Sequence, residues 1–296
     1  MKEYRTCIRF DWAAKRLLRD KANFVVLEGL VSVLLNQNIK IQEILESEGN
    51  SPQEDSKFNR VDIMAKNDKG ELIIVEIQLS RQVHYLERIL FGVGKAITDH
   101  ISRGEAYSKV KKVYSISILY FDFGNGKDFV YHGQTVFKGI HTGDEFTLND
   151  QERRQLGMRA PEDVFPEYYL IRVNEFNKVA STPLEEWIEY LKKGTVRPDT
   201  TTPGLKEASE RLNYMSMPEE ERRAYDNYIE NIRNEIETIE SAKIEGRAEG
   251  RAEGIGIGAA RMAHDVARRM LEANMDVTTI STMTGLSENE IQALKE

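Results

Sequence analysis

The chain is short of several things, and each shortage narrows what it can be. One cysteine, Cys7, in 296 residues forbids an internal disulfide and suits a reducing cytosol. Three of the five histidines, His100, His132 and His141, stand at no spacing that would hold zinc. No apolar run approaches the roughly 18 residues that cross a membrane, and Met1-Lys2-Glu3-Tyr4 does not open a secretory leader. A cytoplasmic protein with no membrane partner is therefore expected. Positive charge is also scarce, since the net charge is −8, but the deficit is uneven. Residues 1–120 hold 19 Lys/Arg against 16 Asp/Glu, and the remainder 22 against 33. Contact with nucleic acid needs only a local basic surface, so the split assigns any such contact to the first half.

What is present centres on Asn59–Ser80. Two β-rich runs, Arg60–Asn67 and Glu71–Leu79, flank Asp68-Lys69-Gly70. A three-residue hairpin loop favours a type I turn closed by a left-handed residue, and Gly70 suits that place. Asn67 then faces Glu71, and counting back along both strands Asp62 faces Glu76, with Cβ atoms about 5 Å apart. Gln78, two residues on, projects from the same face. Val61, Ile63, Ile73, Val75, Ile77 and Leu79 fill the other face. Paired carboxylates repel unless something positive lies between them. Mg²⁺ or Mn²⁺ fits, being held through one or two carboxylates plus substrate phosphates, with the Ile77 backbone carbonyl as a further ligand. The same spacing also suits an exposed hairpin whose acids simply stay wet.

Asp62 followed by Glu76-Ile77-Gln78 after a hairpin resembles the PD-(D/E)XK nuclease core, and more narrowly the recombination-promoting nuclease and transposase-like (Rpn) family. Asp11-Trp12-Ala13-Ala14-Lys15-Arg16-Leu17-Leu18 resembles that family's opening helix, and Tyr107–Leu119 its strand after the core. The resemblance implies an α/β (α+β) restriction-endonuclease-like core, a mixed sheet flanked by helices, with an all-helical C-terminal extension. It implies a metal-dependent DNA endonuclease that uses Mg²⁺, Mn²⁺ or Ca²⁺, with Asp62, Glu76 and Gln78 catalytic. Glu28 would join the metal site from a helix, and Asp11 and Lys15 would be accessory residues near the cleft. Recombination, mobile-element activity or phage defence would be the setting. In the usual motif the third residue is lysine. Glutamine cannot titrate, so Gln78 can orient water but cannot act as a base. A weak or inactive nuclease fold kept for DNA binding or regulation is the alternative.

Around this core, Phe10–Arg19 and Phe24–Leu35 read as helices, the second capped by Asn23, with Ile39–Leu45 the first core strand and Glu46–Lys57 a polar loop. Arg81–His100 reads as a helix capped by Ser80, with Val83, Leu86, Leu90, Val93 and Ile97 on one side. Gln82, Tyr85, Arg88 and Lys95 are then polar residues flanking the site. Arg81, Arg88 and Lys95 offer donors to DNA phosphates, and Lys95 is the candidate to replace the missing lysine charge. Lys111–Phe121, Phe129–Phe137, Glu145–Leu148 and Tyr168–Val173 read as strands, Pro183–Lys193 and Gly204–Met217 as helices, and Thr195–Pro203 as a linker. The organisation expected is a nuclease-like domain over 1–180, a helical extension over 181–244, a glycine-rich connector over 245–258 and a small helix-turn-helix-like module over 259–296.

A charged helix over Pro218–Ala242 carries Tyr225, Tyr228, Ile229, Ile232, Ile236 and Ile239 along one side, a stripe that wants a partner. Gly246, Gly250, Gly254 and Gly258 recur every four residues, which suits either close packing of another helix or a flexible connector. Asp276 and Ser287 read as N-caps, the latter with Glu290 as capping-box partner, and Gly285 as the turn. The helix-turn-helix-like end is acidic, so it reads as an interaction or oligomerisation module, and a homo-oligomer through the C-terminal helices is expected.

Overall fold

The computed structural model describes residues 5–16, 24–47, 62–101, 104–155 and 157–294. In chain order the first elements are β1 (Arg5–Thr6), α1 (Phe10–Arg16), α2 (Phe24–Leu35), β2 (Ile41–Ser47), β3 (Ile63–Asn67) and β4 (Leu72–Gln78). They are followed by α3 (Tyr85–Asp99), β5 (Val113–Leu119), β6 (Val130–Gly133), α4 (Asp150–Arg154), α5 (Pro161–Val164) and β7 (Glu167–Arg172). The chain ends in α6 (Pro183–Lys193), β8 (Thr195–Val196), α7 (Leu205–Arg211), α8 (Glu219–Glu272), α9 (Val277–Thr284) and α10 (Glu288–Ala293). Two compact units divide at Arg222/Arg223. The expected cap Asn23, Leu17–Arg19 and the loop beyond Ser47 lie outside the described residues.

The first unit is built on a mixed six-stranded sheet in the order β2-β3-β4-β5-β7-β6. β4, β5 and β7 run parallel, and the remaining neighbours are antiparallel. Parallel strands buried on both faces need continuous apolar sequence, and β4 and β5 supply it: every residue from Leu72 to Ile77 and from Val113 to Leu119 is buried. The β3–β4 turn forms as its sequence requires. Gly70 adopts φ +77°, and the Asn67 Oδ1 accepts from the N–H of Lys69 and of Glu71 at 3.1 and 2.8 Å.

α3 covers one face of the sheet. Its Val93 and Ala96 pack on Met64, Leu72, Ile74 and Val113, and its Tyr85 and Ile89 pack on Leu119. This face differs in part from the one expected: Val93 is buried and Ile97 packs against the same cluster, as read from the sequence. Tyr85, Ile89, Val93 and Ala96 point inward, while Val83, Leu86 and Leu90 are exposed. The helix also starts later, at Tyr85, without a side-chain cap, so Ser80 caps nothing. The reason is local: the Tyr85 ring fills an aromatic corner against Phe121 and Phe123, with centroids 6.1 and 5.8 Å away, and turns the helix about its axis.

α2 packs with α6 and α7 in the same unit. The Tyr120 hydroxyl donates to the Leu191 carbonyl at 2.8 Å, tying α6 to the end of β5. α6 has the expected limits, capped by Thr182, opened by Pro183 and ended by Gly194 at φ +65°. Thr195–Pro203 is not a linker. β8 pairs with β1, the Trp187 indole donates to the Pro203 carbonyl at 3.0 Å, and Pro203-Gly204 press on Gly29 of α2 so closely that a Cβ there would lie 2.4 Å from the Gly204 Cα. The first unit therefore reaches Arg222 rather than ending near 180. The expected helix over Gly204–Met217 stops at Arg211, because the Asn213 side chain caps a separate short turn by accepting from Met215 N–H at 3.0 Å. The strand expected over Glu145–Leu148 reduces to one bridge, Lys138 to Glu145.

α8 is one continuous helix of 54 residues and passes through the glycine repeat without a break. In the second unit its end packs with α9 and α10 around Ala267, Ile280, Leu286 and Ile291. Asp276 and Ser287 cap α9 and α10, Ser287 in a capping box with Glu290, and Gly285 turns between them at φ +75°. No helix among the described residues is long and apolar enough to cross a membrane.

Candidate active site

The hairpin register fixes the site. Ile63 faces Val75 and Lys66 faces Leu72, so Asp62, one residue before β3, comes opposite Glu76. Asp62 is also held by its own chemistry, since its Oδ2 accepts from the Ile77 N–H at 2.5 Å. A residue's N–H and C=O leave a strand on the same edge, so the Ile77 carbonyl emerges on the Asp62 side. Both carboxylates are buried, Asp62 at 7% and Glu76 at 5% exposure.

α3 closes the site from above. The Tyr85 hydroxyl donates to Glu76 Oε2 at 3.5 Å, and Arg88 Nε stands 4.0 Å from Glu76 Oε1. Arg88 Nη1 also donates to the Gln82 amide oxygen at 3.1 Å, and Gln82 Nε2 donates to Gln78 Oε1 at 3.2 Å. Glu76, Arg88, Gln82 and Gln78 thus form one polar chain from α3 to the end of β4. Burial pushes the Glu76 carboxyl above its ordinary range; Arg88 opposes this, the charge of Asp62 adds to it, and the Tyr85 hydroxyl opposes it. Burial and then the Glu76 charge push the Tyr85 phenol upward, while Ser117 bonds its oxygen and draws it down. Ser117 is a residue that sequence reasoning missed. It faces Glu76 across the β4–β5 pair, and its signal was one of two serines, Ser115 and Ser117, in an otherwise apolar strand.

Other candidates lie elsewhere. Glu28 accepts from the Ile41 N–H at 2.8 Å and pairs with Lys40 at 3.0 Å. Ile41 faces Asn67 at the turn end of the hairpin, five residues from Asp62, or roughly 17 Å along a strand. The structure therefore does not bring Glu28 to the carboxylate pair; it anchors β2 to α2. Asp11 is buried and pairs with Arg9 at 3.0 Å. Arg9 in turn lies over the Tyr120 ring, 4.8 Å from its centroid, and Tyr120 N–H donates to the Gln78 carbonyl at 2.9 Å. Asp11 is thus linked to the end of β4 through Arg9 and Tyr120. Lys15 lies in α1, and its side chain is outside the described residues. Arg81 and Lys95 are exposed, with Lys95 two turns beyond Arg88, about 10 Å along the axis. The positive charge beside Glu76 is Arg88, not Lys95.

A divalent cation suits this donor set. Two buried carboxylates meet where the charge of each raises the cost of the other, and a backbone carbonyl emerges on the same edge. Among the described residues no group of three or more His, Cys, Asp or Glu side chains could hold a metal. That leaves two acidic ligands, the number Mg²⁺ and Mn²⁺ sites often use.

A family model described as PD-(D/E)XK nuclease family transposase matches residues 8–158. The chain belongs to that family. A second family model, described as the C-terminal helix-turn-helix domain of the Rpn/YhgA-like nuclease family, matches residues 262–296. No curated protein and no solved structure matches the chain. The PD-(D/E)XK match spans α1 to α4 and so includes Asp62, Glu76 and α3. The helix-turn-helix match suggests DNA binding for a segment in which six acidic side chains meet three basic ones.

Proposed function

We propose that the chain is a divalent-metal-dependent DNA endonuclease, with Asp62 and Glu76 as its metal ligands and Gln78 as the residue that orients the attacking water. The observation that carries this reading is the opposition of Asp62 and Glu76 on the β3–β4 hairpin, both buried and mutually repelling, in a chain of this nuclease family. When bound, Mg²⁺ or Mn²⁺ would lower the pKa of a water and neutralise charge on the scissile phosphate. Asp62 would present its second oxygen while its first stays fixed by the Ile77 N–H. Glu76 would be kept in place by Tyr85 and Arg88. Gln78 would hold water through its amide, steered by Gln82, because it has no titrating proton of its own. Arg81 and Lys95, exposed on and before α3, would take the DNA backbone, and Arg88 would act inward on Glu76.

A catalytically weak fold that acts by binding DNA is the second reading. It is favoured by Gln78 in the place of lysine and by Arg88 already standing against Glu76. Cleavage of plasmid with Mg²⁺ or Mn²⁺ decides between them, with Asp62→Ala and Glu76→Ala beside the wild type. Loss of cutting in both variants is expected. Equal cutting by all three would remove the site assignment. No cutting by any of them, with carboxylate-independent binding of DNA, would favour the second reading. The protein is further proposed to act as a homo-oligomer held by its C-terminal helices, in DNA recombination, mobile-element activity or phage defence.

A further inference from the structure

We infer that α8 pairs in parallel, and in register, with α8 of a second copy of the chain. The inference rests on the homo-oligomer reading above and specifies its face and direction. At about 100° per residue, Ile236, Ile239, Lys243, Gly246, Gly250, Gly254 and Ile257 fall on one side of α8. They are separated by 3, 4, 3, 4, 4 and 3 residues. That alternation is the seam of a two-stranded coiled coil, and the single 4-4 step is a stutter within it. Within the chain the seam is bare. Ile236, Ile239 and Ile257 are 51%, 48% and 62% exposed, and at Gly246, Gly250 and Gly254 nothing comes within 4 Å of where a Cβ would stand. Glycine at three successive seam positions weakens an isolated helix, whereas in a pair it lets two backbones approach closely. A lysine at one seam position selects two strands and one register at some cost in stability.

Charge sets the direction. Glu249 and Glu253 border one side of the glycine row, and Arg247 and Arg251 border the other. A two-fold axis along the helices lays the glutamate border of one copy against the arginine border of the other. A two-fold axis across them would lay Glu against Glu and Arg against Arg, which repel. Parallel pairing also brings the C-terminal units of both copies to the same end of the pair.

The mass of the full chain and a cysteine scan test this separately. The single native cysteine, Cys7, is buried, so the wild type serves as the uncrosslinked control. A disulfide needs Cα atoms within about 7 Å. A parallel pair meets that at every seam position, an antiparallel pair only at the one lying on its two-fold axis. Light scattering should give twice the chain mass, and Ile239→Cys, Gly250→Cys and Ile257→Cys should each give a disulfide-linked dimer under mild oxidation. A monomer mass overturns the oligomer reading itself. A dimer that crosslinks at one position or none overturns the parallel seam alone. As a check that does not depend on new cysteines, Arg247→Glu/Arg251→Glu should halve the mass. Mixing it with Glu249→Arg/Glu253→Arg should restore the dimer, and failure of either step overturns the charge argument.

Discussion

Replacing Glu76 by glutamine should make the metal-free protein more stable at neutral pH. In the folded chain the Glu76 charge meets three effects. Arg88, 4.0 Å away, attracts it by about 4 kcal/mol at an effective dielectric near 20. Asp62, with Cβ about 5 Å off, repels it by about 3 kcal/mol on the same footing. Those two nearly cancel, and what remains is desolvation, which costs several kcal/mol for a buried ion before relaxation and water penetration. The upward pKa shift of Glu76, caused first by burial, gives the same sign. Glutamine keeps the shape and removes the charge, with Arg88 still bonded to Gln82. A gain of about 1 kcal/mol is expected, typical of relieving a functional site. For a unit of this size, Met1–Arg222, that raises Tm by about 2–4 °C. The sign with pH follows from linkage. A carboxyl whose folded pKa is raised contributes stability that is fully present below its unfolded value, near 4.3, and is lost as pH rises through the folded value. The variant's advantage should therefore vanish below about pH 4 and grow as pH rises above it. With Mn²⁺ at about ten times its Kd the order should reverse, because the ion adds about 1.4 kcal/mol to wild type alone. Thermal denaturation by circular dichroism at both pH values, with and without Mn²⁺, measures all of this. A Glu76→Gln protein less stable than wild type at pH 7.5 without metal would show that the Arg88 ion pair outweighs burial, and the strained-carboxylate argument would fall.

Four further outcomes are expected. Gly29→Ala should destabilise the first unit by about 1–3 kcal/mol or more in chemical denaturation, since its Cβ would meet the backbone of Pro203 and Gly204 rather than a yielding side chain. Gly256→Ala, off the seam, should do the opposite and raise the helicity of α8, because open space surrounds the site and alanine gains about 1 kcal/mol over glycine; a lowered helix signal would contradict a helical repeat. Glu185, held down to about 2 first by Lys178 and then by Ser181, should contribute stability above its unfolded value near pH 4.3 that disappears as pH falls toward 2. Glu185→Gln should then cost no more than about 2 kcal/mol at pH 7 and nothing at pH 2 in urea melts. Arg88→Met should raise the Glu76 carboxyl further and weaken Mn²⁺-independent folding at pH 8 more than at pH 5; equal losses at the two pH values in melting would show that Arg88 merely packs.

Much of the fold was legible where one residue type has one job. Gly70, Asp276, Gly285 and Ser287 each sit at the end or turn their chemistry predicts, the helix read over Pro183–Lys193 keeps those limits, and the hairpin register that brings Asp62 to Glu76 followed from counting across one turn. The misreadings come where tertiary contacts override local pattern. α3 has two apolar faces, one of Tyr85, Ile89, Val93 and Ala96 and one of Leu86 and Leu90, so periodicity alone could not say which is buried. Thr195–Pro203 reads as a linker because threonine and proline are read locally, whereas its place is fixed by Trp187 and Gly29, many residues away. Glu28 looked like a third acid because spacing along the chain says nothing of which end of a strand a helix meets.

The same rotation that hid the buried face of α3 shapes the site. Turning Tyr85 into the aromatic corner of Phe121 and Phe123 places its hydroxyl on Glu76 and, three residues on, aims Arg88 at the same carboxylate. Had Leu86 and Leu90 faced the sheet instead, Tyr85 and Arg88 would have turned away with them, and the Glu76–Asp62 repulsion would have lost the charge that offsets it. The core packing of α3 and the electrostatics of the site are therefore one constraint. A larger side chain in place of Ile89, next to Tyr85 on the buried face, should shift Arg88 off Glu76 before it unfolds the sheet. That shift is visible as a changed Mn²⁺ affinity in calorimetry, and a Tm loss with unchanged affinity would show the two to be independent.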